Sequence, residues 1–254
     1  MTLVLTELSP FGIAMAADTA VTTSISATGV AFAQPNAATK LQVIDPLQAG
    51  VACWGLGEIA GQASDGWLSG FIDGNADAPD LDDFANRLAW QLNDQVGENP
   101  EGTNRLGFHI AGFVDHNGRR LPSFYHVHDG PSTALEARGE HVNPHRFNAN
   151  HDMPPAAFSA AAEQGRGWIT RNGDYQLYAA MFQKLEEFFL SLRALGIVIP
   201  DSQDVGDRAS YLVFQIRTIA SLYRLSNLLP GIGGGITYLA ITTEGIHSLG
   251  IRYF

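Results

Sequence analysis

The 254-residue chain has 45% hydrophobic and 16% charged residues and a formal net charge of −11 at pH 7. This composition predicts a folded protein with a sizeable core and argues against nucleic acid or an anionic membrane as the main partner. The single cysteine, Cys53, excludes an intramolecular disulfide, and no apolar run is long enough to span a membrane. We expect one domain over residues 1–254, without a signal peptide, in the cytoplasm.

Alternating apolar segments in the first part of the chain predict strands. The first two, 2–8 and 11–18, meet at a Ser-Pro turn. Residues 22–39 are rich in Ala, Ser and Thr and are interpreted as a long hairpin. Strands follow at 40–44, which ends in an Asp-Pro turn, and at 50–55.

The rest of the chain alternates pairs of helices with strands. Apolar periodicity predicts helices over 58–72 and from Asp80, and two longer ones whose apolar faces run from Tyr178 to Leu192 and from Leu212 to Tyr223. Predicted strands are 106–115 and 121–128, which flank an Asn117-Gly118 hairpin signal, and 236–242 and 246–253, while 130–155 has only weak strand signals. Paired helices between antiparallel strands favour two stacked sheets with helices outside, which is a four-layer α/β/β/α sandwich of the α+β class.

Thr2 is the first candidate catalytic residue. Removal of Met1, which we expect, would place a hydroxyl and a free α-amine on the same residue, so that the amine can serve as the base for its own hydroxyl. A threonine after an initiator methionine is common, however, so Thr2 by itself does not identify a site.

Several short motifs occur in an order that resembles one known family. They are Thr2, Ala16-Ala17-Asp18 with Thr22 beyond it, Lys40, Asp45-Pro46 leading into Gly55, and the glycine-rich segment 233–245. Together they are similar to the proteasome β-subunit family of N-terminal nucleophile (Ntn) hydrolases. The divergence suggests a bacterial relative of the HslV or ancestral β-subunit kind.

The resemblance implies a peptidase mechanism with four catalytic groups. Thr2 would attack the peptide carbonyl and form an acyl-enzyme, and Lys40 would sit beside its hydroxyl. Asp18 would pair with Lys40 and orient it. The backbone N–H of Gly55 would face the oxyanion, with Trp54 as the alternative donor.

The resemblance also implies how substrate and partners are bound. Thr22 would pair with an extended peptide, and Ala52 and Cys53, both small and neutral, would shape a pocket for a sizeable apolar side chain. No metal or cofactor is implied. The subunits would form a homo-oligomeric ring or spiral that encloses peptide or protein substrates, and a separate ATPase unfoldase is a possible partner.

Two departures from the family pattern leave alternatives open. The stretch 229–232 lacks the aspartate and serine that support the N-terminal amine, and the mid-chain Gly-Ser-Gly turn is missing, with Asn148, Asn150 or Ser159 as substitutes. The chain could therefore be a catalytically weak or inactive assembly subunit. An Ntn amidase that acts on a small amide is the other alternative.

Three further features are given structural interpretations. His126 and His128, with Asp129 and a distant His-Asp pair, are interpreted as a polar sheet face rather than a metal site. The glycine run 231–235 lacks the Lys-Ser/Thr of a phosphate loop and precedes a strand. Cys53 lies in an apolar strand and is a weaker candidate nucleophile than Thr2.

Overall fold

The computed structural model describes residues 2–25, 30–98, 105–131, 143, 145–164, 167–173, 176–196, 204–226 and 231–253. Within these residues helices are combined with antiparallel sheets, which confirms the predicted α+β class.

Sheet A contains the first strands of the chain and the last described ones. Its members are β1 (Leu3–Ser9), β2 (Gly12–Asp18), β12 (Trp168–Gly173), β13 (Ile236–Thr242) and β14 (Gly245–Arg252). The order is β12-β1-β2-β13-β14, and every neighbouring pair is antiparallel. All residues of β1 and β2 are buried, because both faces of these inner strands are covered.

Sheet B is formed by the middle of the chain. Its members are β5 (Leu41–Ile44), β6 (Ala49–Gly55), β9 (Leu106–His116), β10 (Arg119–His128) and β11 (Asn148–Met153), in the order β11-β10-β9-β6-β5. The turn between β9 and β10 has positive φ at Asn117 (51°) and Gly118 (75°), as a tight two-residue hairpin requires. The predicted Asn-Gly turn is therefore confirmed.

Two small hairpins flank β5 and β6 in the chain, one before β5 and one after β6. The first pairs β3 (Val21–Ile25) with β4 (Val30–Gln34), within the predicted 22–39 hairpin. The second pairs β7 (Glu58–Ile59) with β8 (Gln62–Ala63). The helix predicted over 58–72 is wrong in its first part, because this second hairpin occupies it.

Five α-helices lie in the described ranges. They are α1 (Ser64–Gly74), α2 (Leu81–Gln95), α3 (Pro155–Glu163), α4 (Gln176–Leu192) and α5 (Val205–Leu225). The Asp80 carboxylate caps α2 by accepting the Asp83 N–H at 2.9 Å, so the helix start predicted at Asp80 is confirmed. None of the helices described is sufficiently long and apolar to cross a lipid bilayer. Short 3₁₀ turns occupy Asp45–Leu47 and Arg193–Leu195.

Three apolar clusters hold these elements together. One joins α1 and α2 to sheet B through Phe71, Phe84 and Phe108. A second lies between the sheets, and the third joins sheet A to α4 and α5. Strand β1 shows why, since Val4 belongs to the cluster between the sheets while Leu3 belongs to the helix-facing one.

Candidate active site

The pairing of β1 with β2 places the first residues of the chain beside Asp18. Val4 pairs with Ala17, so the start of β1 lies next to the end of β2. The Leu3 N–H then donates to Oδ1 of Asp18 at 2.9 Å. Thr2 directly precedes β1 and is only 6% exposed. Because its neighbour Leu3 is bonded to the Asp18 carboxylate, the position of Thr2 is fixed as well.

Asp18 is fully buried and its carboxylate is surrounded by donors. Besides the Leu3 N–H, it accepts the Ala20 N–H at 3.2 Å, the Gly233 N–H at 3.3 Å and Nζ of Lys40 at 3.1 Å. A buried charge must be paired and hydrogen-bonded, and both conditions are met here. The carboxylate thus connects the ends of two strands, the glycine-rich segment and a lysine.

Lys40 reaches this carboxylate from the other sheet. It directly precedes β5, and its Nζ also donates to the carbonyl of Ala20. An ammonium group has three N–H donors, and these two acceptors engage two of them. Lys40 is 5% exposed and lines the same cavity as Thr2. The ammonium is thus held rigidly at the cavity wall.

A cavity of about 250 Å³ brings most of the predicted site residues together. Its walls come from the chain start, the β3–β4 hairpin, the end of β6 and the start of α1. The lining residues are Thr2, Ala20, Val21, Thr22, Gln34, Ala37, Ala38, Lys40, Cys53, Trp54, Gly55, Leu56, Gly57, Ala63, Ser64 and Asp65. Of the predicted residues, Asp18 lies behind Lys40, and Ala52 lies in the cluster between the sheets.

Gly55 ends β6 at this cavity in a conformation that favours glycine. Its φ is +100°, and an added Cβ would lie 2.1 Å from the carbonyl oxygen of Arg105. The next residue, Leu56, donates its N–H to the same carbonyl at 3.1 Å. Backbone of this kind, exposed at a cavity wall, can present N–H groups to a bound oxyanion.

Cys53 lines the cavity, but its thiol is in the wrong protonation state to act as a nucleophile. Burial raises the pKa of its thiol to about 12, and the Lys40 ammonium only partly opposes this effect. The thiol is therefore protonated at neutral pH, and a protonated thiol is a poor nucleophile. This supports the interpretation of Cys53 as a wall residue.

Sequence reasoning missed Asp65. This residue lies in the first turn of α1, and its Oδ2 accepts the Thr39 N–H at 2.9 Å at the cavity wall. The helix predicted over 58–72 placed Asp65 in mid-helix, where a carboxylate does not indicate a functional site. The true helix start at Ser64 brings it to the cavity.

His126 and His128 are buried, so the predicted polar sheet face is wrong. Their ring centroids lie 4.1 Å apart, with the ring planes tilted by 34°. Nε2 of His128 forms a hydrogen bond with the side-chain amide of Asn150 at 2.7 Å, and Nδ1 of His126 lies 3.6 Å from Oδ2 of Asp152. Among the residues described, no set of three or more ligating side chains is arranged to hold a metal ion.

The structure accounts in part for the two departures from the family pattern that were noted in the sequence. Residues 229 and 230 lie outside the described residues, but Gly233 beyond them donates to Asp18. Asn150 is engaged by His128, Asn148 bonds the carbonyls of Asn143 and Arg146 at 2.8 and 2.6 Å, and Ser159 lies on α3. Backbone N–H groups thus complete the surroundings of Asp18.

Comparison with known proteins gives a likeness of fold. No protein-family model matches the chain, and neither does any curated protein sequence. A solved structure of a mutant of Anbu from Hyphomicrobium sp. strain MC1, a protein with a proteasome-like fold, matches over 100% of this chain and 87% of its own. The TM-score is 0.54 and the sequence identity is 11%.

These findings correct the family assignment made from the sequence motifs. Membership of the proteasome β-subunit family, or of its HslV-like or ancestral branch, is not supported, because no family model matches. At 11% identity the structural match shows the fold alone. Several residues of these short motifs lie close together in the structure, but the motifs do not establish descent.

Proposed function

We propose that this chain is a threonine-type N-terminal nucleophile peptidase, with Thr2 as the nucleophile. One observation carries the proposal. The buried Lys40–Asp18 ion pair lies at the wall of a cavity that Thr2 also lines. The Asp18 carboxylate also accepts the N–H of Leu3, the residue that follows Thr2. A buried ion pair is by itself weak evidence for stability, and the position of this pair at the cavity wall supports a role in catalysis.

The reaction begins when Thr2 becomes the N-terminal residue. Its Oγ1 attacks the carbonyl carbon of a bound peptide while the hydroxyl proton passes to the α-amine. The tetrahedral intermediate then breaks its C–N bond, and the proton moves from the amine to the leaving nitrogen. Water, activated by the same amine, hydrolyses the ester and releases Thr2.

The other residues stabilise charge and hold the substrate. The Lys40 ammonium stabilises the developing negative charge on Oγ1, and Asp18 keeps it oriented. The Gly55 N–H binds the oxyanion. Thr22, on β3 at the cavity wall, pairs with the extended backbone of the substrate.

The cavity walls favour a peptide with a medium-sized apolar side chain at the cleaved bond. Small or apolar residues dominate the lining, among them Ala20, Val21, Cys53 and Leu56. Asp65 contributes the carboxylate, but both of its oxygens already accept backbone N–H groups.

A covalent probe tests the proposal directly. A peptide epoxyketone bonds both the hydroxyl and the free amine of an N-terminal threonine, so its adduct requires both groups. We expect an adduct at Thr2 in wild type and in a Cys53→Ser control, and none in Thr2→Ala. An intact mass that still includes Met1, together with no adduct, would instead support the inactive assembly subunit.

We also propose a layered and self-associating architecture. The three apolar clusters support a four-layer order of α1 and α2, sheet B, sheet A, and then α4 and α5. Large apolar side chains remain exposed on the outer helices, with Phe188 at 56%, Leu195 at 73% and Leu225 at 85%. We propose that these side chains contact a second copy of the chain, and we expect a homo-oligomer in native mass spectrometry.

A further inference from the structure

A chain of three hydrogen-bonded side chains, two of them completely buried, links the two sheets. Nδ1 of His109, on β9, lies 2.9 Å from Oγ1 of Thr6 on β1. Its Nε2 lies 2.7 Å from Oδ1 of Asn172 on β12. His109 and Thr6 are both completely buried. One imidazole of sheet B therefore holds two neighbouring strands of sheet A.

The protonation of His109 fixes the direction of both hydrogen bonds. Burial, together with the neighbouring His126, lowers the pKa of His109 well below its ordinary value, so the ring is neutral near pH 7. A carbonyl oxygen can only accept, so Nε2 carries the proton and donates it to Asn172. Nδ1 is then the acceptor of the Thr6 hydroxyl.

Asn172 precedes the residue that contacts Thr2. Gly173 pairs with Leu3 and Asn172 with Val4, so the end of β12 lies beside the start of β1. Gly173 has φ +102°, and a Cβ there would lie 1.9 Å from the carbonyl oxygen of Thr2. The backbone of β12 thus packs directly against the backbone of Thr2.

The two sides of the Thr2–Leu3 segment are held by different means. Asp18 holds one side, since it accepts the Leu3 N–H at 2.9 Å and is itself fixed by Lys40. On the other side lies β12, which is the edge strand of sheet A. An edge strand is paired along one side only, so its position is less constrained unless something else fixes it. His109 supplies that constraint from the other sheet.

We propose that His109, through Asn172 and Thr6, is a positioning residue for the Thr2 nucleophile. This inference rests on the proposed function. The hydrogen-bonded chain fixes β12 against β1, so that Gly173 sets the place of the Thr2 backbone and hence of its hydroxyl and amine. A displacement of about 1 Å of a reacting group can reduce a rate about 100-fold.

The structure offers well-matched variants for a test. Thr6→Val removes only the hydroxyl, at nearly constant shape. Asn172→Ala removes the acceptor, and Asn172→Asp keeps it. Thr237→Val is the control, because Thr237 is 3% exposed on β13 of the same sheet and its hydroxyl has no hydrogen-bond partner among the residues described.

The experiment measures saturating epoxyketone labelling of Thr2 together with thermal unfolding. We expect the maximal labelling rate to fall 10- to 100-fold in Thr6→Val and Asn172→Ala, with the half-saturating probe concentration unchanged within about twofold. Asn172→Asp should recover most of the rate, and Thr237→Val should retain all of it. A purely structural role would lower the melting temperature without this selective loss of rate.

The outcomes separate this inference from the proposed function. If wild type itself is not labelled, the proposed function fails, and this inference fails with it. If wild type is labelled and the Thr6→Val and Asn172→Ala rates stay within twofold, only the positioning role is overturned. An equal loss in Thr237→Val would overturn it as well. If Asn172→Ala does not fold, Thr6→Val decides.

Discussion

Nζ of Lys40 lies 3.1 Å from Oδ1 of Asp18, and this ion pair joins the two sheets at the wall of the cavity. Lys40 leads into sheet B and Asp18 ends a strand of sheet A. Both residues are almost completely buried, so each charge depends on the other. The pair can therefore be tested for stability and for chemistry in the same set of variants.

Removing one partner of this pair should destabilise the protein more than removing both. Lys40→Met leaves the Asp18 carboxylate buried without its cation, which should cost about 3–5 kcal/mol of unfolding free energy. The double variant Lys40→Met/Asp18→Asn should recover part of that loss but no labelling of Thr2. Denaturant unfolding measures the first effect and the epoxyketone adduct the second. A double variant as unstable as Lys40→Met would contradict the pairing.

Gly55 should not tolerate a side chain. With φ +100° and a Cβ position 2.1 Å from the Arg105 carbonyl, Gly55→Ala should lose roughly 1–3 kcal/mol of stability and most of the Thr2 labelling. Gly57→Ala is the control, since it lines the same cavity and its Cβ would meet only Val21 at 4.0 Å. Unfolding curves and labelling rates of the two variants should differ clearly. Equal behaviour would remove the backbone argument for Gly55.

The buried histidines should make the protein unstable in acid. Burial lowers the pKa of His126 and of His128 to about 3, with Asp152 and Asp129 partly opposing the effect at His128. Their stabilising contribution is complete above the unfolded value of about 6.5 and is lost as the pH falls from there toward about 3, because the unfolded state binds protons first. Each group contributes about 1.4 kcal/mol per pH unit in that window.

A single replacement can isolate this effect. Nε2 of His126 has no partner among the residues described, so His126→Leu loses only the polar contact of Nδ1 with Asp152 and should flatten the pH dependence by about one proton. His247→Gln, at an exposed histidine, should leave the slope unchanged. Unfolding free energies at several pH values between 3.5 and 7 give both slopes. A steeper slope in His126→Leu would reverse the expected sign.

The Cys53 thiol should be inert in the folded protein. Burial raises its pKa to about 12, and the residue is only 4% exposed. We expect slow alkylation by iodoacetamide at pH 8 in the native state and rapid alkylation in denaturant, followed by mass spectrometry. Fast native alkylation would mean that the cavity wall opens and that Cys53 competes with Thr2.

Local signals in the sequence predicted the elements whose stability is local. The β1–β2 pair, the start of α2 at Asp80 and the Asn117-Gly118 turn each carry their own alternation, cap or turn chemistry. The β1–β2 pair places Thr2 next to Asp18, so this part of the candidate site could be predicted from the sequence.

Elements that depend on distant partners, and turns that lack the usual turn residues, could not be predicted from the sequence. Strand β12 (Trp168–Gly173) is stabilised by pairing with β1, whose paired residues lie 160 to 170 positions earlier. The β7–β8 hairpin turns at Ala60 (φ 49°) and Gly61 (φ 78°), and an alanine gives no signal for that conformation. Alternation on β10 showed that His126 and His128 share a face, but not that this face is covered.

The Asp18 carboxylate also sets a condition on when the site can exist during synthesis. Its donors include Leu3 and Gly233, which are separated by 230 positions in the chain. Strand β2 must also pair with β13 before Asp18 is enclosed. A nascent polypeptide therefore cannot complete the surroundings of Asp18 until residues near 240 have left the ribosome, and the function proposed for Thr2 would be absent until then.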